Sequence, residues 1–381
     1  MKGAEMDNIT ENTLKVTEYT VLGKLPPLLI SDSGEQINTP EKWRLRREEI
    51  KKTVIDLQYG TIPPAPEFLD VETLYRGRVS STYKIITGTR ARPVTFRMKI
   101  TLPENASRRP VIVCGDLCFD YAMDKEYLSA ALDRGIGWVF FDRTELAHDI
   151  MGEGRSHGAL YETYPDHTFG ALGAWAWGYS RCVDALEKLA LPGIDLGCIA
   201  FSGHSRGGKT AALAGALDER AAVVNPNETC AGSCGCYRVH MKAIDPDGAE
   251  KRSETLTDLW NNFGYWLGPE MEKYVGHEED LPFDAHFLKA LIAPRTLFVS
   301  EAAGDIWSNP VGSWQTTMAA KEVFRLLGAK DELLWYFREG KHYHTSGDVR
   351  MLASVIAHKH DGAPLCDGFS VLPFSPFPPI Y

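Results

Sequence analysis

From Cys198 an apolar run of strand length enters the motif Gly203-x-Ser205-x-Gly207, and an alanine-rich segment of high helix propensity leaves it and runs to Leu217. A strand that turns straight into a helix across one serine is the setting in which G-x-S-x-G works as a nucleophile elbow. So tight a turn presses the residues beside the serine against strand and helix, where a Cβ would clash, and glycine removes the clash. The helix begins at the serine, so its free N–H groups and dipole point at any anion that forms there.

The chain on either side fits that turn into one fold class. Val94–Leu102 alternates apolar and polar residues, as an antiparallel strand with one wet face does, and Val71–Tyr75 and Tyr83–Thr87 pair with it. The pattern then changes. Pro110–Gly115, Gly137–Phe141, Thr296–Ser300 and Leu333–Phe337 are short and continuously apolar, the mark of parallel strands covered on both faces. Helical segments separate them, over Tyr127–Leu132, Leu172–Ala190 and Thr317–Leu327, and Ala222–Val224 supplies a further strand after the elbow helix. Antiparallel strands leading into alternating β/α units predict an α/β-hydrolase fold, a doubly wound, mostly parallel sheet with helices on both faces.

Ahead of the strands, Thr39-Pro40 reads as an N-cap followed by proline at the first helical position, opening a helix over 40–59 that Gly60 stops. The predicted organisation is an N-terminal arm (1–68) packing on the core and a catalytic domain (69–360). Within that domain lies an aromatic-rich insertion (231–290), and a Pro-rich tail (361–381) follows. Residues 142–168 form a long Gly/His/Glu-rich loop of the kind that is usually functional or mobile.

Composition excludes several classes. The 381 residues carry a net charge of −10 without a Lys/Arg-rich run, so no nucleic acid is expected as a partner. No apolar run reaches membrane-spanning length and the start lacks an apolar leader core, which predicts a cytoplasmic chain without membrane attachment. Eight cysteines in a chain this long read as free thiols. Cys230, Cys234 and Cys236 with His240 do not have the spacing of a structural zinc site, so neither metal nor cofactor is expected.

A serine needs a base, and the base an orienting acid. In this fold they follow in the order Ser, Asp/Glu, His, on loops beyond the strands' C-terminal ends. His342 lies five residues past Phe337 and is the first candidate for the base; His344 is the second, with a surface histidine as its alternative reading. Two acids compete, Asp305 after the Thr296–Ser300 strand and Glu228 after the strand that follows the elbow helix. The predicted oxyanion hole combines the Arg206 N–H with one from the loop at Gly115 and Asp116. The Arg206 side chain adds a positive charge beside the tetrahedral intermediate or pairs with a nearby acid. Lys209, one turn on, faces either substrate or solvent.

The run Gly203-His204-Ser205-Arg206-Gly207-Gly208-Lys209 resembles the Cys-Ser-Arg-Asn-Gly-Lys elbow of glucuronoyl esterases, carbohydrate esterases that cut esters of glucuronic acid. Trp175-Ala176-Trp177-Gly178, Asn261–Trp266, Leu281–Asp284, Leu291–Arg295 and Asp305-Ile306-Trp307 are similar to that family too, over roughly residues 90–360. The resemblance implies Ser205 as nucleophile and His342 as base, with Glu228 in the position of the fungal acid and Asp305 in that of the second acid of bacterial members. It further implies that Arg206 supports the oxyanion and that Lys209 and Trp307 contact the uronate. The elbow departs from the family in His204 and Gly207, which replace its Cys and Asn. The expected activity is therefore hydrolysis of a small-molecule or oligosaccharide uronate ester through an acyl-enzyme. The alternatives are a sugar O-deacetylase, a peptidase or amidase with the same triad, and a non-catalytic sugar-binding protein.

Overall fold

The computed structural model describes residues 15–104, 108–245 and 247–368. In chain order the strands are β1 (Lys15–Val21), β2 (Phe68–Arg76), β3 (Ser80–Gly88), β4 (Pro93–Thr101), β5 (Arg109–Cys114), β6 (Gly137–Phe141), β7 (Ile194–His204), β8 (Ala221–Asn227), β9 (Val239–Ile244), β10 (Glu250–Arg252), β11 (Thr296–Ala302) and β12 (Leu333–Arg338). Nine of them form one sheet in the order β12-β11-β8-β7-β5-β6-β4-β3-β2. The run from β6 to β12 is parallel, and β4, β3 and β2 add antiparallel strands at one edge.

The continuously apolar strands are buried on both faces. On β5, Val111 and Val113 enter one core while Ile112 and Cys114 enter the other, and on β7 Ile199 and Phe201 oppose Cys198 and Ala200 in the same way. The first core is closed by helices Ala171–Leu189, Arg206–Leu217 and Pro310–Leu326, and by Trp43, Ile50 and Val54 from the helical arm. The second is closed by helices Lys125–Leu132 and Ser346–Asp361 through Tyr127, Ala130, Val349 and Leu352. This three-layer arrangement is the α/β-hydrolase fold.

Helix Pro40–Lys51 begins as its sequence dictates: Thr39 accepts the Lys42 N–H at 3.3 Å and Pro40 needs no acceptor. Helix Pro310–Leu326 starts seven residues ahead of its apolar repeat, because Asn309 at φ 59° caps it by accepting the Gly312 N–H at 3.0 Å. Within residues 231–290, β9 pairs with β1 on one side and with β10 on the other, giving a three-stranded antiparallel sheet whose Val239, Met241 and Ala243 pack on Ile306 and Val311. Of the Pro-rich tail, residues 369–381 lie outside the described residues, as do 1–14 of the arm.

Candidate active site

The C-terminal ends of β7, β8, β11 and β12 are neighbours in the sheet, and each carries one element of the site. At the end of β7, Ser205 sits at φ 56°, ψ −120°, a region that residues with a Cβ rarely adopt. It is held there by its N–H on Asn227 O (2.9 Å) and by its C=O, which accepts the Lys209 N–H (2.9 Å) to open the helix. The flanking glycines are needed for space. A Cβ on Gly203 would meet the Gly207 backbone, and one on Gly207 would meet the Asp116 carboxylate.

That carboxylate forms the floor of the turn. Asp116 is fully buried, accepts the His204 N–H at 3.0 Å and the Tyr121 hydroxyl, and pairs with Arg143. The oxyanion reading of this loop therefore needs correction at Gly115. The Gly115 N–H is donated to Tyr179 Oη (3.0 Å) and the Leu117 N–H to Phe141 O (3.2 Å), so Gly115 has no hydrogen to offer an anion. The Asp116 side chain enters as a carboxylate beneath the serine turn. The cation in the neighbourhood is Arg206, whose guanidinium donates to Asp149 Oδ2 at 3.1 Å and lies over the rings of Trp266 (4.8 Å) and Phe263 (5.2 Å).

On the loop after β12, His342 stands with its ring 4.5 Å from that of His204, the residue just before the serine. Its Nδ1 is 2.6 Å from Asp305 Oδ2 and 3.5 Å from Glu228 Oε2, so both predicted acids meet one imidazole. They differ in their other partners. Asp305 has the short contact, and its Oδ1 accepts only a long bond from the Ser308 N–H (3.4 Å). Glu228, at φ 46°, is tied to Arg338 Nη2 (2.5 Å) and to the Tyr343 N–H (3.0 Å). Desolvation, reinforced by the Asp305 charge, pushes the Glu228 carboxyl well above its ordinary pKa, and Arg338 opposes that shift. With Nδ1 committed to a carboxylate, Nε2 is the nitrogen His342 has left for a hydroxyl.

His344 is not on the surface. It is buried, with Nδ1 3.0 Å from Tyr127 Oη and its ring packed on Tyr121, Tyr127 and His204, and burial lowers its pKa.

Lys209 does not face solvent. It is buried, and its ammonium donates to Thr229 O, Ala231 O and Glu254 Oε2 (3.2 Å), which uses all three of its hydrogens. The reason is helical geometry: four residues beyond Ser205 the side chain points back under the loop that follows β8. Truncating it strands Glu254, whose pKa desolvation already raises. Lys209→Ala is thus expected to cost about 3–5 kcal/mol of stability in a denaturant titration, with little effect on the KM of the protein that remains folded.

Trp307 is 39 % exposed beside the site, with Arg252 5.8 Å above its ring. Sequence reasoning missed Asp149, which has no regular structure, and Arg143 and Tyr121, which sit in single 3₁₀ turns (Arg143–Glu145 and Asp120–Met123); for Asp149 and Arg143 the one signal was the length and polarity of residues 142–168. Among the described residues, His204, Glu228 and His342 bring three ligand-type atoms within 4.8 Å of one another. Asn227, Arg338 and Asp305 respectively already engage them, so the cluster works as a hydrogen-bonded assembly. Cys230, Cys234 and Cys236 are buried free thiols.

A doubly wound sheet with a strained serine at the β7 turn, and a histidine bound to acids from the next strand ends, defines a member of the α/β-hydrolase class. Residues 85–328 match the family model described as fungal glucuronyl esterase. Among curated relatives, the 4-O-methyl-glucuronoyl methylesterase of Podospora anserina is 31% identical over 82% of this chain and 62% of its own length. That of Hypocrea jecorina is 30% identical over 84% and 66%. The chain thus spans just under two thirds of these two relatives.

Of solved structures, a carbohydrate esterase family 15 glucuronoyl esterase from Caldicellulosiruptor kristjansonii superposes with a TM-score of 0.82 at 29% identity, covering 94% of this chain and 96% of that one. A serine-to-alanine mutant of the Sporotrichum thermophile enzyme, in complex with methyl 4-O-methyl-β-D-glucopyranuronate, gives 0.75 at 26% identity over 94% and 92%. The chain belongs to the glucuronoyl esterase family. The expectation of a cytoplasmic location does not survive this assignment, because the fungal members are secreted, extracellular carbohydrate-active enzymes. Among the described residues no helix is long and apolar enough to cross a membrane.

Proposed function

We propose that the protein hydrolyses esters of a glucuronic-acid-type uronate through an acyl-enzyme on Ser205. Nε2 of His342 takes the Ser205 hydroxyl proton as Oγ attacks the ester carbonyl, and the carboxylate of Asp305 on Nδ1 fixes the tautomer and steadies the imidazolium. The carbonyl oxygen becomes an anion facing the first turn of helix Arg206–Leu217, where the opening N–H groups have no intrahelical acceptor and the Arg206 guanidinium stands alongside. Collapse breaks the bond to the alkoxy oxygen, which leaves as the alcohol with the proton from His342. Water then enters, gives a proton to the same nitrogen and adds to the acyl carbon; collapse breaks the acyl–Oγ bond as Nε2 returns that proton to Oγ, which releases the uronate and restores the serine.

The observation that carries this reading is the 2.6 Å contact between His342 and Asp305, set against the ring that precedes the serine. The substrate class rests on the named activity of the relatives and on the methyl uronate complex of the neighbouring structure. Exposed Trp307 offers the flat apolar face a pyranose ring can lie against.

Methyl glucuronate, benzyl glucuronate, acetylated xylose and p-nitrophenyl acetate, compared under one set of conditions, separate the alternatives. The two glucuronates should exceed the acetyl esters by about tenfold or more in kcat/KM. A preference for acetylated xylose would replace uronate hydrolysis by sugar deacetylation.

A further inference from the structure

Asp149 lies in the loop between β6 and helix Ala171–Leu189, away from every motif that marks the fold. Its side chain is only 8 % exposed, and its contacts converge on one place. Oδ2 accepts from Arg206 Nη1 at 3.1 Å and stands 3.5 Å from Arg143 Nη2. Oδ1 accepts from Tyr265 Oη (2.9 Å) and Trp266 Nε1 (3.1 Å). Trp266 in turn stacks on Phe263 at 4.1 Å, and these are the two rings that carry the Arg206 guanidinium. One carboxylate therefore fixes both the cation and the wall it rests on.

Below, Arg143 pairs with Asp116, and Asp116 accepts the N–H of His204. A line of alternating charges thus runs from the underside of the serine turn through Asp116, Arg143 and Asp149 to Arg206. Arginine has many rotamers, and this one is 29 % exposed. A guanidinium free to swing would have to reorganise each time an anion formed, and a fixed one does not.

We propose that Asp149 is a positioning residue: it holds Arg206 aimed at the oxygen that becomes negative when Ser205 attacks, and so acts on the transition state through Arg206. This rests on the role given to Arg206 above. It predicts a particular signature, a loss in kcat that depends on Arg206 being present.

The test is a double-mutant cycle of Asp149→Ala and Arg206→Ala, with Asp149→Asn as a near-isosteric variant that keeps the Oδ1 acceptor for Tyr265 and Trp266. Two rates are followed: hydrolysis of methyl glucuronate, and the second-order labelling of Ser205 by a fluorophosphonate, whose phosphoryl oxygen passes through a similar anion. Asp149→Ala should lower kcat and labelling by about 10- to 100-fold with KM within about twofold, and Asp149→Asn by less. In the Arg206→Ala background the same change should cost under about threefold. Thermal melts accompany each variant, and if the alanine protein does not fold, the Asp149→Asn cycle decides. An equal loss with and without Arg206, a loss confined to KM, or no loss would overturn the proposal. Failure of uronate esters to react while the labelling cycle shows the coupling would refute the substrate reading and leave the positioning role standing.

Discussion

Ser205→Ala is expected to lower kcat for methyl glucuronate by about 10⁴- to 10⁶-fold, the range found when the nucleophile of a triad hydrolase is removed. The loss should be purely chemical. Alanine carries the same Cβ as serine, so it meets the strained φ of 56° at similar cost, and the hydrogen bonds that hold the turn come from the backbone and from Asp116. The variant should therefore fold, melt within a few degrees of the parent, and still bind the ester. Progress curves at high enzyme concentration measure the rate, and calorimetric titration with methyl glucuronate measures binding. Activity above about one hundredth of the parent would mean that the hydroxyl at this position is not the nucleophile.

The second large effect separates two carboxylates that one imidazole brings together. Asp305→Asn is expected to lower kcat by about 10²- to 10⁴-fold, because an amide at the short contact with His342 Nδ1 can present N–H in place of an acceptor and turn the ring to the wrong tautomer. Glu228→Gln should cost about tenfold or less. Its carboxylate is 3.5 Å from the ring and spends its hydrogen bonds on Arg338 and the Tyr343 backbone. Glu228 then serves the loop that carries His342 more than the ring itself. Steady-state kinetics of the two variants, with the double variant for additivity, gives the order directly. The reverse order, with Glu228 dominant, would transfer the orienting role to the end of β8.

These expectations also mark how far the sequence is legible. The turn at Ser205, the strands around it and the histidine beyond β12 are written in local pattern: a strand-length apolar run, two glycines where a Cβ would clash, a loop of the right length. The pairing of Asp305 and Glu228 at one ring follows from strand order, which places β8, β11 and β12 side by side. Lys209 is not the solvated lysine that its helical position allows, because periodicity tells which turn a residue occupies but not what loop covers it, and here the segment after β8 closes over the helix. Gly115 was misjudged for a similar reason: its N–H is taken by Tyr179, a partner from a helix 64 residues away in sequence. Strand β1 has little local pattern and draws its order from pairing with β9, whereas helix Ser346–Asp361 is signalled by the Thr345–Asp348 capping box, by Val349, Leu352, Ala353 and Ile356 at helical spacing and by Gly362 at its end. Asp149 has no local signal, because a lone acid in a polar loop acquires meaning only from the guanidinium and indole that fold against it.

The proton path from Ser205 to His342 is the claim on which the rest depends, and fluorophosphonate labelling of the folded protein, read by intact mass and peptide mapping, tests it most directly. The account predicts a single adduct on Ser205 in the parent and labelling slowed by more than about 100-fold in His342→Gln. No adduct on the folded parent, or equal labelling rates in the two proteins, would contradict it.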